Sequence, residues 1–490
     1  MPRPLNFIIV GGSVSGFAAA IALKESGHNV VVLEKDSQLG GEGQGIDGCA
    51  RLPPNGTKII TDWGLAGAAA GKTATIGPWW IYKYYTPGGK LDTLGVQRSW
   101  PELDEAARGE YMLFRHTALI RVLHDKLDPL PLTASMSKAS SSGRATVHLS
   151  AEVVAIDSEA VTVTLASGEV FTGDAIIGAD GRHGVVRGLL MREEGEESSG
   201  ETATGMALCS AIIPKDKVEA EGGEVAELAY EEQRLGLWLG DGRATLTYPA
   251  GGTKDLALYV YTSDNAQEPQ TDSGWKEISK LPLDKVMGDC DPRLRKLASL
   301  AGPAVCVPMT TAHQLESWVS ESGKVLVIGE AAHPAPVAGL YLYTTALEDG
   351  LFIGKVFSHT RDPERISEFF HAFQEAREPR CARLRQMDED LITTQSFPDG
   401  EFQVLRDAGM RANTAAGRNA MEGDLQEMLD DFVFAFGYDA DDDADEWWIN
   451  WGRLKGGPHA SAAGASLSNG AGAMDFAKMF AGSMSFTQTH

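Results

Sequence analysis

No run of roughly 18 apolar residues occurs anywhere in this 490-residue chain, which excludes a membrane-spanning helix. Positive charge is scarce. The 43 Lys and Arg face 68 Asp and Glu, a formal charge of −25. Such a chain is repelled by nucleic-acid backbones and anionic membrane surfaces, so a nucleic-acid partner is excluded. Cysteine is sparse and unpaired in pattern. Cys49, Cys209, Cys290, Cys306 and Cys381 are far apart and form no CxxC, so neither a zinc site nor a disulfide is expected, and a metal role is not assigned. The N-terminal residues lack the charged start and cleavage pattern of a signal peptide, and the last four are no retention or peroxisomal address, so a cytoplasmic chain is expected. Hydrophobic residues at 43% and charged residues at 23% are ordinary for a globular protein.

What is present begins at once. Phe7–Val10 is a fully apolar run, suited to a buried parallel strand. It runs into Gly11-Gly12-Ser13-Val14-Ser15-Gly16, then an Ala-rich helical stretch closed by Gly27, then Asn29–Leu33 and Glu34. This is a strand–glycine turn–helix–strand–acid unit. Gly11 permits the sharp turn, Gly16 lets the helix pack on the strand, and the helix N-terminus offers N–H groups and a positive dipole end to a pyrophosphate. Glu34, 18 residues after Gly16, is placed to accept from a ribose diol. The middle glycine of the usual GxGxxG is Ser13, whose hydroxyl is a further donor toward phosphates. A second such fingerprint is absent.

Two later segments read as strands that end in polar turns. Asp174–Gly178 leads to Ala179-Asp180-Gly181, and Lys324–Ile328 leads to Gly329-Glu330-Ala-Ala-His333-Pro. The second continues into a helix from about Tyr341. A strand end feeding a helix start is the ligand-facing edge of an open α/β sheet. Trp79–Tyr85 alternates with period two, which puts Trp80, Tyr82 and Tyr84 on one face; with the runs 243–248 and 256–261 it predicts an antiparallel sheet. That aromatic face suits a flat apolar substrate, or else plain core packing. His333 is read as a residue that fixes loop geometry, not as a base. Asp439–Glu446 lacks the glycine and terminal acid of a calcium loop and is read as a solvated acidic turn, followed by Trp447, Trp448 and Trp451 as anchors. Residues 135–143 read as a polar loop, 193–201 as an exposed acidic linker, and 456–490 as a disordered Gly/Ala/Ser tail.

The ordered set of GxSxxG with Glu34, the GADG of 178–181 and the GEAAHP of 329–334 resembles the single-component FAD-dependent monooxygenases, the para-hydroxybenzoate and salicylate hydroxylase-like family. Pro54-Asn55-Gly56, after the loop 45–48, matches the family's PNG helix. The resemblance implies an α/β fold: a Rossmann-like FAD-binding domain with a parallel sheet, an antiparallel-sheet substrate domain and a C-terminal helical region. The implied division is FAD-binding segments 1–75, 101–195 and 311–400, substrate-domain segments 76–100 and 196–310, a C-terminal region 401–455 and the tail.

It further implies tight, non-covalent FAD and NAD(P)H as a transient co-substrate, with O2 and a small aromatic or phenolic substrate as reaction partners. The reaction implied is hydroxylation through a flavin C4a-hydroperoxide, with a decarboxylating variant. The alternatives are an alkene epoxidase, a flavoprotein dehydrogenase and a non-catalytic FAD binder. The cofactor residues it implies are Gly11, Ser13, Gly16, Glu34, Gly48, Arg115, His116, Asp180, Gly329, Glu330 and Leu340; no catalytic side chain is assigned. The chain departs from the family at several points. Glu330 replaces Asp, Leu340 and Leu342 replace a GxG near the flavin edge, Gly184 replaces a Ser, and Arg115 and His116 share the position of an Arg. Leu340 and Leu342 still offer backbone N–H groups.

Overall fold

The computed structural model describes residues 3–41, 48–99, 107, 109–127, 143–196, 201–263 and 279–453. The loop 45–47, most of the polar loop 135–143, residues 197–200 and the tail 456–490 lie outside the described residues.

The first apolar runs become strands because they bury both faces. β1 (Asn6–Val10) and β2 (Asn29–Leu33) flank α1 (Val14–Glu25), and all three pack into one core. Five parallel strands form the sheet, in the spatial order 325–327, 175–178, β1, β2, 145–148. Numbered along the chain this is 5-4-1-2-3, the doubly wound dinucleotide-binding order. Its switch point lies between β1 and Ala175–Gly178, where connections leave in opposite directions and a crevice opens at the strand C-termini.

Helix Leu342–Ser358 packs along α1. Only glycine permits that approach: a Cβ on Gly350 or Gly354 would sit within 2.4 Å of the α1 chain. β3 (Cys49–Leu52) pairs with Met112–Arg115 and leads into α2 (Pro54–Asp62), whose Pro54 starts the helix.

The second large sheet has eight strands: 279–281, 304–311, 202–213, 255–262, 243–250, 235–240, 79–83 and 93–97. It is antiparallel except where Leu235–Gly240 pairs parallel with Trp79–Lys83. Its two faces carry different cores. Tyr82, Tyr84 and Trp238, with Trp80 at the margin, pack away from the parallel-sheet unit, among Leu256, Met287 and Leu294. The other face sets Leu246, Tyr248, Tyr259 and Tyr261, with Trp79 at its margin, against Cys49 and Leu113. The period-two reading was right about the strand, and of its two alternatives core packing holds: Tyr82 and Tyr84 are core with Trp80 at its margin, and the aromatics at the junction come mainly from the strands 243–250 and 255–262.

Three further expectations are corrected. Cys209 and Cys306 form a disulfide, because they sit opposite each other on paired antiparallel strands despite 97 residues of separation, a register that spacing cannot show. Asp439–Glu446 is not a turn: Asp439 caps a helix over Ala440–Trp447 by accepting from the N–H of Asp441 and Asp442. The stretch from Glu193 is more than a linker, since Glu193 ends a helix and accepts from Glu321 N, while Glu194 accepts from Ser317 N. Trp447 and Trp448 pack on Phe369, and Trp448 stacks on His359 at 4.5 Å, but Trp451 is 51% exposed and anchors little. Among the described residues no helix is long and apolar enough to cross a membrane.

Candidate cofactor and substrate site

The parallel sheet brings the polar strand ends together. Gly11, Gly12 and Ser13 follow β1, Glu34 follows β2, Ala179 and Asp180 follow the fourth strand along the chain, and Gly329 and Glu330 follow the fifth. The packing is close enough to require glycine. Gly11 has φ +108° and a Cβ there would lie 2.4 Å from Ala179 O. A Cβ on Gly16 would lie 2.1 Å from Gly11 O, and one on Gly329 2.5 Å from Ser15 Oγ.

Ser13 is the N-cap of α1. Its Oγ accepts from Gly16 N at 3.2 Å and donates to Ala179 O at 3.0 Å. Its one hydroxyl proton is thereby used, so a phosphate would meet the backbone and not this side chain. The N–H groups of Val14 and Ser15, the first two of the helix, have no acceptor within it. Glu34 takes one backbone N–H on each oxygen, Gly12 N at 2.6 Å and Asp36 N at 2.8 Å. Each oxygen keeps a lone pair, and the half-buried carboxylate faces the turn. Two open helix N–H groups, a glycine turn and a carboxylate at the next strand end fit the pyrophosphate and ribose of a dinucleotide.

Asp180 serves the fold as well as the crevice. Its Oδ2 accepts from Val186 N at 2.9 Å and caps helix Val185–Glu193, where Gly184 leaves room: a Cβ there would lie 2.1 Å from the carboxylate. Oδ1 is buried without a partner, and burial pushes the carboxyl up to about 6. Glu330 sits in a short 3₁₀ turn over Gly329–Ala331 and is held by Arg182, whose Nη2 donates to Glu330 Oε1 at 2.8 Å and to Ala335 O at 2.6 Å. Arg182 follows the GADG run directly. It was visible in the sequence but carried no role until the two strand ends met.

A buried charge network braces that turn. Asp349 Oδ2 accepts from Gly329 N at 2.9 Å and from His333 Nε2 at 2.7 Å, while its Oδ1 takes Arg377 Nε at 2.9 Å. Burial opposes a charge on His333, and Cys381 and Asp349 outweigh it and push its pKa up to about 10. His333 is thus tied through Asp349 to the Gly329 N–H of the same loop. Glu348 receives a two-pronged contact from Arg380, at 2.9 and 2.8 Å, and a third bond from Arg377 at 2.8 Å. Asn55 of the PNG run also donates to Glu348, at 2.7 Å, which ties α2 to helix Leu342–Ser358.

The remaining predicted residues lie near the junction between the sheets. Gly48 O accepts from His116 N at 2.8 Å, and His116 Nδ1 meets the Tyr343 hydroxyl at 3.2 Å. The Arg115 side chain packs along Gly251, where a Cβ would lie 2.8 Å from Arg115 Cγ. Leu340 is a correction. Its N–H donates to Asp388 Oδ1 at 2.7 Å, and Tyr341 N reaches Asp388 Oδ2 at 3.3 Å, so the loop donor expected to serve the cofactor is already occupied. Asp388 lies 48 residues beyond Leu340, on helix Ile366–Gln395, and no local pattern marks it. Burial pushes its carboxyl up to about 6.

Residues 9–58 match the NAD(P)-binding Rossmann-like domain family. The chain is 24% identical over 421 residues to the FAD-dependent monooxygenase OpS4 of Beauveria bassiana (strain ARSEF 2860), covering 83% of this chain and 89% of that protein. It is 24% identical over 432 residues to hispidin-3-hydroxylase of Neonothopanus nambi, covering 84% and 93%. A salicylate hydroxylase substrate complex superposes with a TM-score of 0.65 at 18% identity, covering 90% of this chain and 97% of that one, a likeness of fold.

Proposed function

We infer that this chain, a single-component FAD-dependent monooxygenase of the para-hydroxybenzoate and salicylate hydroxylase type, hydroxylates a small phenolic ring with NAD(P)H and O2. The observation that carries the reading is the meeting of the Gly11–Ser13 turn, Glu34 and Glu330 at one edge of the parallel sheet, beside the tyrosine-lined face of the second sheet. When bound, FAD would supply the redox chemistry that uses two electrons of NAD(P)H and O2 to put one oxygen atom into the ring and release the other as water.

The residues of the chain do the rest. Val14 and Ser15 N–H bind the pyrophosphate at the positive end of α1, with Gly11 and Gly16 giving the backbone its close approach. Glu34 accepts from the adenosine ribose. Glu330, oriented by Arg182, accepts from the ribityl chain. Gly48, Arg115 and His116 border the path toward the ring, and Tyr248, Tyr259 and Tyr261 keep the junction dry, so that charges there act at low dielectric. No side chain needs to act as nucleophile. Because the chain has one dinucleotide fingerprint, NAD(P)H docks transiently, and an aromatic substrate that binds preferentially to the docked conformation accelerates reduction.

A second reading, FAD binding without oxygen insertion, has one observation behind it: the N–H groups of Leu340 and Tyr341 are taken by Asp388. Two measurements separate the readings. The purified protein is expected to be yellow and to release one FAD per chain on denaturation. Anaerobic bleaching by NADH or NADPH is expected to quicken when a phenol is added. A colourless protein sinks both readings, and bleaching indifferent to every phenol favours the second.

A further inference from the structure

Asp424 starts a helix over Leu425–Phe436 by accepting from the N–H groups of Gln426 and Glu427 at 3.0 and 3.1 Å. The sequence puts Leu425, Leu429, Phe432, Val433 and Phe436 at i, i+4, i+7, i+8 and i+11, one apolar stripe of a helix. Such a stripe ordinarily faces a core, and here only the last turn does. Ala435 is buried with Leu340, Tyr341, Leu384 and Met387, and its carbonyl accepts from Asn55 at 3.0 Å. Phe436 meets the Tyr341 ring at 6.0 Å. Leu425 is 62% and Val433 60% exposed. Neither they nor Leu429 or Phe432 belong to an apolar core among the described residues. The other exposed group on a helix, Phe402, Val404 and Leu405, spans only the start of helix Glu401–Ala415, where Phe402 leans on Phe397 at 5.9 Å.

Charge narrows what can cover the stripe. Asp424, Glu427, Asp430 and Asp431 stand on or beside this helix, which has no Lys or Arg. A second copy of the chain would bring the same acids to a two-fold contact, at a formal charge of −25 on each partner. The chain itself supplies a better occupant. Beyond Arg453, outside the described residues, it carries Lys455 and Lys478 against Asp475. Fourteen of the twenty residues 454–473 are Gly, Ala or Ser, and Met474, Phe476, Met479, Phe480, Met484 and Phe486 then follow within thirteen. Phe476, Met479, Phe480 and Met484 stand at i, i+3, i+4 and i+8, an apolar face to match the stripe. Methionine adapts to irregular apolar surfaces, so shape sets little demand.

The tether is long enough. Residues 437–452 are mostly helical, which keeps Arg453 within about 30 Å of Phe436 at ~1.5 Å per helical and ~3.4 Å per extended residue. Twenty residues of Gly/Ser-rich character have a root-mean-square span of about 25 Å. Such a tether gives an effective concentration on the order of millimolar, so a weak contact suffices to close it.

We propose that segment 474–486 packs on the apolar stripe of helix Leu425–Phe436 in the same chain, an intramolecular clasp behind the corner at Leu340 and Tyr341. The proposal stands apart from the reading of the chain as a hydroxylase.

The test is photo-crosslinking in the full-length flavoprotein, with p-benzoylphenylalanine in place of Phe480. Illumination at low micromolar concentration is expected to join residue 480 to a peptide within 425–433, in the monomer band. Val433→Asp in the same protein is expected to lower that yield tenfold or more. Crosslinks to residues 402–405 or to another surface overturn the proposal, as does the absence of any crosslink. A product found only in the dimer band also overturns it, in favour of a second copy. Hydrogen exchange gives the second measurement. In a chain ended at Arg453, the amides of residues 429–436 are expected to exchange tenfold or more faster than in the full chain. Unchanged exchange overturns the proposal. Should the shortened chain fail to fold, full-length Val433→Asp carries this measurement with the same expected acceleration, and unchanged exchange there has the same force.

Discussion

Two strand–turn–helix corners meet in this molecule, and they differ in what happens to their backbone donors. At the first, β1 to α1, the N–H groups of Val14 and Ser15 stay open at the crevice, because the one cap, Ser13, is spent on Gly16. At the second, the loop after His333 that enters helix Leu342–Ser358, the N–H groups of Leu340 and Tyr341 are filled by Asp388 from a distant helix. A corner with local caps can stay ready for an anion. A corner capped from elsewhere is bound into the fold, and its ligand chemistry must come from other groups. The difference suggests that the first corner holds the cofactor's phosphates and the second holds shape.

The largest way to break the comparison is at the first corner. Gly16→Val would put a side chain where even a Cβ meets Gly11 O at 2.1 Å, and is expected to cost more than about 4 kcal/mol and abolish flavin binding. Ser13→Gly removes a cap and the bond to Ala179 O but no backbone donor, so about 1 kcal/mol and near-normal flavin content are expected. Thermal melts and flavin absorbance of the two proteins decide; equal flavin content would refute the role of the turn.

At the second corner, Glu348→Ala leaves Arg377 and Arg380 buried with less compensation and is expected to cost about 3–5 kcal/mol in denaturant unfolding. A loss below about 1 kcal/mol would show that the network does not hold the helix.

Asp388→Asn sharpens the contrast through pH. Burial raises this carboxyl from 3.8 to about 6, so the folded state holds its proton more tightly than the unfolded one. Ionising it therefore costs stability as pH rises through that window, by no more than about 3 kcal/mol. An amide does not ionise, so the stability of the variant relative to the parent should grow between about pH 4 and pH 6 and then level off. A difference flat across that range would contradict the buried cap.

Glu34→Ala should weaken FAD by about 1.5–3 kcal/mol, the range for hydrogen bonds to a charged group, as read by flavin fluorescence on titration. Unchanged affinity would remove Glu34 from the site.

The parts legible in the sequence were those set by local sterics. Gly11, Gly16 and Glu34 stand within one unit whose spacing forces the strand–turn–helix, and the apolar runs of β1 and β2 allow few other structures. The strand alternation of Trp79–Lys83 was equally readable, but not the face it turned to the junction, because that depends on which strands of an eight-stranded sheet lie beside it. Asp388 was illegible for a related reason. It lies in a polar helical stretch, and only the packing of helix Ile366–Gln395 brings it to the N–H groups of Leu340 and Tyr341. The Cys209–Cys306 pairing likewise follows from sheet register and not from spacing.

The central claim is that the assembled crevice and junction insert oxygen into a phenolic ring. The most direct measurement is oxygen uptake by the purified flavoprotein with NADH or NADPH and a panel of phenols and phenolic acids, with and without catalase. The account predicts that one class of phenol stimulates uptake, and that catalase then returns little of the oxygen because it has entered the product. Uptake that no phenol changes and that catalase returns by half, as complete diversion to H2O2 requires, would contradict it.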